Sequence, residues 1–600
     1  MPSGYMGKLL FVDLSTGSLH EEIPDEGLYQ DYIGGYGVGA RVIYNRQKAG
    51  VDPMGPENTL GFMTGPLTGS PASFGCRYTV VGKSPLTGGW GDANCGGDFG
   101  PHLKFAGYDG VFITGIAEKP VYLFIDNGRA EIRDASHMWG KSTFETNDIV
   151  LTEHGKAARV VSIGQAGELK SLVANIMNKG GDAAGRSGMG GLMGSKKLKA
   201  VVVKGEMKVP VADMERAMKR RKEHIAEMQK TFIADMHRYG TTSHAEESAH
   251  SGDSPVKNWG GVGIVEMPDA SGIRMGYIDT KVVSRTGCWR CPAACKGGLV
   301  EGTGLYKYPR GSHRPEYETL AAFGCNCLIN DFDAIAMANH ICNSYGIDTI
   351  SAGSIIAFAM ECYENGIITK SDTDGIELTW GNHHAMIAML EKIVKREGIG
   401  DILADGVMRA ADRFGKPAEK FAVHIDGQEP GMHDPKMDFP AFAGKPVAAA
   451  YQIDATPGRH TAPFGWTKIL AHVVNASGLC LHGTILVADP NWYMAEFLSS
   501  VIGWERTKED LLLQDERICT MRHVFNLREG INPLQRKVPP RMIGRPPQKK
   551  GPLAGKRADF VPQVYWCLGK LDWDRLTAIP SKKRLLELGM DDIAQDFHPQ

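Results

Sequence analysis

"GCWRCPAACKGG", residues Gly287 to Gly298, places Cys288, Cys291 and Cys295 within eight residues. The chain holds twelve cysteines in 600 residues, too sparse for a disulfide scaffold, so a clustered trio points to metal binding. Burial without a ligand is the plain reading of a lone cysteine, but not of C-x2-C-x3-C. Structural zinc sites pair two short knuckles to close a tetrahedron, and no second knuckle exists here. Three thiolates on one turn with a single distant partner suit a [4Fe–4S] cubane, in which each iron takes one thiolate. The fourth ligand is then one of the scattered cysteines: Cys76, Cys95, Cys325, Cys327, Cys342, Cys362, Cys480, Cys519 or Cys567. Cys342 and Cys362 fall within apolar helical patterns and read as core. Cys480 follows a glycine in "NASGLCLHG", a loop or turn that could aim its sulfur at a cluster. Local chemistry leaves it one of several choices.

Working outward, 600 residues exceed what one hydrophobic core holds, so two to four domains are expected. A net charge of −2 leaves no basic field for nucleic acid or an anionic membrane. No apolar run reaches the ~18 residues of a membrane span. The opening "MPSGYMGKLLFVDL" lacks the apolar stretch of a signal peptide, and a cytoplasmic location is expected.

The first ~205 residues read as β-rich. "KLLFVDLSTGSLHEE" looks like a hairpin, and "YTVVGKSP", "GVFITG", "VYLFI", "RVVSIG" and "KAVVVKG" are β-branched runs between glycine-rich connections. "DMERAMKRRKEHIAEMQKTF" then switches to amphipathic helix. Residues 236–280 read as polar loops. From Asp331 the chain is largely helical, and glycine C-caps are expected after "DAIAMANHICNSY", "SAGSIIAFAMECYEN", "HHAMIAMLEKIVKRE" and "DILADGVMRAADRF". The basic, proline-rich "INPLQRKVPPRMIGRPPQKKGPLAGK" reads as an extended surface arm. A Rossmann reading of "GGYGVGA" fails because no apolar strand precedes it. The fold class expected is α+β: a β-rich platform over 1–208, then mostly helical domains over 209–415 and 416–600.

The cysteine trio with a distant "GLC" resembles the tungsten-dependent aldehyde:ferredoxin oxidoreductases. The resemblance runs in order through "YIGGYGVGARVIY", "NCGGDFGPHLKFAGYDGVFITG", "AGRSGMGGLMGSKKLKAV", "RPEYETLAAFGCNCLINDF", "EPGMHDPK" and "GLC". It implies a tungsten ion held by two pterin dithiolenes on the β-rich platform, with one [4Fe–4S] cluster on Cys288, Cys291, Cys295 and Cys480. Asn94, Gly96 and Gly97, with Ala184, Gly185 and Arg186, then match the contacts to pterin phosphates and Mg²⁺. Backbone N–H groups reach phosphate best where no Cβ blocks them. Arg77 matches an arginine between pterin and cluster. Two pterin-ring motifs appear as Asn343-Ser-Tyr-Gly346-Ile-Asp348 and Asn475-Ala-Ser-Gly478-Leu479-Cys480, each with asparagine where the family has aspartate.

The same resemblance implies Glu318 as general base toward water or an aldehyde hydrate, with Glu316 as fallback, and His433 as hydrogen-bond partner of the substrate oxygen. Electrons then leave to ferredoxin or a ferredoxin-like subunit, and an oligomer or multi-subunit complex is expected. Relatives that share an iron between subunits use E-x-x-H. Met337-Ala-Asn-His340 lacks the carboxylate, so that iron is not expected here. The competing functions are aromatic acyl-CoA reduction by a related catalytic subunit, and a non-catalytic electron-transfer subunit.

Overall fold

The computed structural model describes residues 2–437, 447–459, 470–558 and 560–599. The hairpin and the five β-branched runs supply seven of twelve strands in two sheets. The first sheet contains β1 (Leu9–Asp13), β2 (Ser18–Glu22), β3 (Leu60–Thr64), β4 (Tyr78–Lys83), β5 (Trp90–Cys95) and β6 (Gly110–Thr114) in the order β2-β1-β6-β3-β4-β5. Its expected hairpin is present: β1 and β2 run antiparallel from Leu9↔Glu22 to Asp13↔Ser18. The second contains β7 (Val121–Asp126), β8 (Arg129–Asp134), β9 (Arg159–Ser162), β10 (Ile176–Asn178), β11 (Asp182–Ala184) and β12 (Leu198–Lys204) in the order β11-β10-β9-β12-β7-β8.

The two sheets share one core, in which Leu10, Val80 and Ile113 meet Leu123, Val161 and Val201 around Phe99 and Leu103 of helix Phe99–Phe105. All six residues of β4 are buried, because the other face of its sheet is covered as well. Helix Gly35–Arg46 and the chain's last third pack there, with Val81 and Phe112 in one cluster with Val473, Phe525 and Ile593. A strand buried on both faces reads as a continuous apolar run, as "YTVVG" does. Helix Gly35–Arg46 carries "GGYGVGA" but follows helix Glu26–Tyr32 rather than a strand, which removes the strand-to-helix turn of a dinucleotide site.

Helices Phe332–Tyr345, Thr349–Glu364, His383–Lys395 and Val407–Phe414 enclose a separate core around Ile335, Phe358, Met389 and Leu390. Gly346 and Gly415 end the first and last of these, as expected. Asn365 and Arg396 end the other two, one or two positions before the glycine. Arg396 holds its left-handed cap because its guanidinium is tied to Leu169 O at 3.1 Å and Asp401 at 2.9 Å. Residues 236–280 differ from the loop expectation. They form short helices, Ala245–Ser251 and Met275–Thr280 among them, because sparse apolar residues such as Ala249 and Ile278 reach the core. The proline-rich arm is irregular as expected but anchored rather than free. Met542 is fully buried, and the Arg536 guanidinium lies beneath the surface on Asp426 at 2.7 Å and Gln452 O at 2.7 Å.

Candidate functional site

Two short backbone pairings carry distant segments to one cavity. Gly75 pairs antiparallel with Leu479, and beside it Arg77 N–H donates to Gly478 O at 3.0 Å and Cys480 N–H to Phe74 O at 3.2 Å. Ala174 pairs in the same way with Ile347, where Asn175 N–H donates to Gly346 O at 2.9 Å and Asp348 N–H to Val173 O at 3.0 Å. Each Asn-x-x-Gly motif therefore docks on a different sheet of the platform by the same device. Its glycine ends a helix in the left-handed conformation, at φ 74° for Gly346 and 86° for Gly478. Close approach needs glycine on the platform too: a Cβ on Gly65 would lie 2.1 Å from the Ser477 carbonyl carbon, and one on Gly35 2.6 Å from Asn475 O.

The first pairing lays Cys480 beside the trio. Cys288, Cys291, Cys295 and Cys480 line one cavity with Arg77 and Glu318, and the cavity holds about 1500 Å³ of atom-free space, its mouth included. All four cysteines are half-buried. Of the nine candidates for a fourth ligand, Cys76 and Cys480 reach this cavity. Among the described residues, no three His, Cys, Asp or Glu side chains stand close enough to hold a single metal ion.

Asn94, Gly96, Gly185, Arg186, Asn343 and Asp348 line the same cavity. The remaining expected positions stand behind its wall. Gly97 faces an outer groove, Ala184 is buried within β11, and Gly346, Asn475, Gly478 and Leu479 form the docking turns just described. Asn475 Nδ2 donates to Ala471 O of its own helix at 2.7 Å. Asp348 caps helix Thr349–Glu364 through Ile350 N–H at 3.0 Å and receives Arg186 Nη1 at 2.8 Å. His340 is engaged within the chain, stacked on Phe144 at 5.3 Å.

The cavity fits a large polar cofactor. Arg77 Nε, Asn175 Oδ1 and His313 Nε2 belong to residues that line it, and each is buried with no hydrogen-bond partner among the described residues, a costly state unless a ligand supplies one. A Cβ on Gly185 would meet nothing nearer than Ala183 at 3.9 Å, so at this cavity-lining position the backbone stands open to a ligand. Arg77 Nη2 lies 3.4 Å from Cys480 Sγ.

Glu318 sits in a single helical turn, Tyr317–Thr319, that widens into a π-helical stretch over Leu320–Cys325, a distortion frequent at functional sites. Its Oε2 accepts Met432 N–H at 2.7 Å. Burial raises its carboxyl pKa, only partly offset by His433, that N–H and Arg186. His433 lies outside the cavity lining but close enough for its charge to act on Glu318. Its backbone stands at φ 99°, strained for a histidine, and Tyr451 O–H holds its carbonyl at 2.8 Å. Nδ1 is 2.9 Å from Asp253 Oδ1. Burial opposes the imidazolium, yet Asp253 and Glu318 outweigh it and the pKa is raised. The fallback Glu316 also lines the cavity, and its carboxylate accepts from Thr241 O–H.

Sequence reasoning weighed Cys76 only as a possible fourth ligand and missed His482, Lys296 and Asp182. Cys76 is fully buried and draws Cys288 toward thiolate, with Lys296 and Arg77 acting in the same direction. His482 lies two residues past Cys480, where burial first and Arg77 second lower its pKa. Lys296 pairs with Asp182 at the cavity wall. Their one sequence signal is adjacency: each stands next to, or two residues from, a residue already singled out.

The chain matches "Aldehyde ferredoxin oxidoreductase, N-terminal domain" over residues 9–205 and "Aldehyde ferredoxin oxidoreductase, domains 2 & 3" over 216–590. It is 36% identical to the tungsten-containing aldehyde ferredoxin oxidoreductase of Pyrococcus abyssi (strain GE5 / Orsay), over 98% of this chain and 100% of that one. It is 31% identical to the aliphatic sulfonate oxidoreductase, WOR-like subunit, of Pyrococcus furiosus, over 99% and 98%. Among solved structures, the active site complex BamBC of benzoyl coenzyme A reductase with 1,5 dienoyl-CoA superposes at a TM-score of 0.85 and 26% identity, over 100% of this chain and 99% of that one. With both family regions matched in order and relatives of this similarity aligned almost end to end, the chain belongs to the aldehyde ferredoxin oxidoreductase family.

Proposed function

We propose that this oxidoreductase converts aldehydes to carboxylic acids with a tungsten–bispterin in the cavity and one [4Fe–4S] cluster on Cys288, Cys291, Cys295 and Cys480. The observation that carries the reading is the meeting of those four sulfurs with Arg77 and Glu318 on one cavity, across nearly 400 residues of chain. When bound, the tungsten–bispterin supplies a two-electron acceptor, and the cluster supplies the outlet toward ferredoxin or a ferredoxin-like subunit. Asn94, Gly96, Gly185 and Arg186 hold the phosphates and Mg²⁺ in this reading, with Gly97 and Ala184 shaping their loops from behind, and the two docked motifs hold the pterin rings. Ionised Glu318 takes a proton from water or the aldehyde hydrate, and His433, with Asp253 behind it, orients the substrate oxygen. RCHO and H₂O give RCOOH, two protons and two electrons, so the proton taken by Glu318 must afterwards leave. The division at residues 208 and 415 belongs to the same proposal.

A second reading, catalysis of aromatic acyl-CoA reduction, is favoured by the full-length likeness to the benzoyl coenzyme A reductase complex. Higher identity to the aldehyde enzyme favours the first. Anoxic purification, metal counting per chain and viologen-coupled assays separate them. About one tungsten and the four irons of a cubane, with aldehyde-dependent dye reduction, support the proposal. Turnover of the acyl-CoA alone supports the second reading. Iron without tungsten in protein from its native host overturns both.

A further inference from the structure

We infer that Lys296 and Asp182 form a buried charge pair that sets the reduction potential of the cluster and ties its loop to the phosphate loop of the cofactor site; this rests on the cluster reading proposed above. Lys296 directly follows Cys295 and opens β14 (Lys296–Leu299), which pairs with β13 (Val282–Thr286). Asp182 opens β11, the strand that leads to Gly185 and Arg186. Lys296 Nζ donates to Asp182 Oδ2 at 2.6 Å and contacts Oδ1 as well. The side chains are only 12% and 13% exposed, so water screens the pair little.

The same ammonium stands on the cavity that Cys288 and Cys295 line, close enough for its charge to act on the Cys288 sulfur. Arg77 reaches Cys480 at 3.4 Å, and the buried Cys76 thiol lines the same cavity as Cys288. Two further contacts join the loops: Trp289 N–H donates to Gly97 O at 2.9 Å, and Asn178 Nδ2 to Gly96 O at 3.0 Å. These ties hold position without adding charge. Lys296 and Asp182 differ from them because they bring opposite charges to the cavity wall, the ammonium on the residue that follows Cys295 and the carboxylate paired to it. Reduction adds one negative charge to the cluster. A fixed cation beside a ligand favours the reduced form and a fixed anion opposes it, and hydrogen bonds to the sulfurs act in the same sense as the cation.

The two partners must therefore shift the potential in opposite directions when neutralised. The test is an EPR-monitored redox titration of anoxically purified holoenzyme for wild type, Lys296→Met, Lys296→Arg and Asp182→Asn, with iron counted in each. At a fixed potential near the midpoint, Lys296→Met should lower the reduced-to-oxidised ratio about tenfold, a negative shift of about 59 mV for one electron. Asp182→Asn should raise the ratio, and Lys296→Arg should stay near wild type. Shifts of the same sign, or no shift with iron retained, overturn the inference and leave the pair a structural tie. Should Lys296→Met lose its cluster, a raised ratio in Asp182→Asn with a wild-type Lys296→Arg still supports the inference, and an unchanged or lowered one overturns it. Wild type without iron removes the cluster reading first, and this inference with it.

Discussion

Replacing Glu318 by glutamine should nearly abolish turnover and leave the cavity intact. Glutamine is isosteric, and its carbonyl oxygen can still accept Met432 N–H, which now reaches Oε2 at 2.7 Å. The site has no room for a larger change, since even a Cβ on Gly431 would lie 2.7 Å from Glu318 Oε1. A positioned general base contributes roughly 10²–10⁴ in rate, or about 2.7–5.4 kcal/mol of barrier, so kcat should fall by that factor with KM little changed. The pH profile supplies an independent readout. Burial raises the Glu318 carboxyl, so the reactive ionised form is lost as pH falls through a pKa above the ordinary carboxylate range. The acid limb of kcat/KM should sit correspondingly high in wild type and be missing from the variant. Stability should move the other way. A carboxyl whose folded pKa is raised lowers stability as pH rises through that value, because the unfolded chain gives up its proton first. Near neutral pH the variant should thus be at least as heat-resistant as wild type. The assay is anoxic aldehyde-dependent viologen reduction, with tungsten and iron counted in both proteins. Retention of more than about a tenth of kcat with full metal content, or an unchanged acid limb, would refute the assignment of Glu318 as base.

Cys480→Ser should retain the fold but lose the EPR signal of a reduced [4Fe–4S] cluster, with iron falling below wild type; an intact signal would hand the ligand role to another cysteine. Gly185→Val should lower bound tungsten with little effect on stability, since its Cβ would meet no atom nearer than 3.9 Å. Gly97→Ala should instead destabilise the chain, by roughly 1–3 kcal/mol for the strained backbone alone, because φ is +89° and the new Cβ would lie 2.2 Å from Asn178 Nδ2. Arg522→Met takes from buried Asp454 its guanidinium partner at 3.1 Å and leaves Asp92, now 2.7 Å from Arg522, with Arg459, and should cost roughly 3 kcal/mol, seen as a lowered urea midpoint. Burial pushes the Asp92 carboxyl up, but Arg522 and Arg459 outweigh it and hold the pKa at about 2. Its contribution, about 2 kcal/mol, is present above the usual aspartate value and is lost as pH falls through about 2; Asp92→Asn should flatten that acid slope.

The sequence by itself determined what local geometry encodes. Period-two and continuous apolar runs marked β1, β4, β6, β7, β9 and β12, and period-3.6 patterns marked helix Met214–Met228 and the helices between Phe332 and Phe414, because alternation and helical repeat are properties of a few neighbouring residues. The cysteine trio was legible for the same reason: three ligands on one turn need only short-range spacing. Glu318 and His433 were legible only through the order of family motifs, since neither has a local signal that separates a base from an ordinary buried carboxylate or a loop histidine. Tertiary structure decided the rest. Residues 236–280 became helical because Ala249 and Ile278 found a core assembled from later helices. The pairing of residues 74–77 with 478–480 carries Cys480 to the cavity of the trio, which Cys76 also lines. Cys76 and the Lys296–Asp182 pair came to the cavity of the cysteine trio through the tertiary fold, the latter by a contact spanning 114 residues. Such contacts depend on where whole sheets and helices pack. Their information is spread over glycines that permit approach and apolar faces that drive burial, and no stretch read alone contains it.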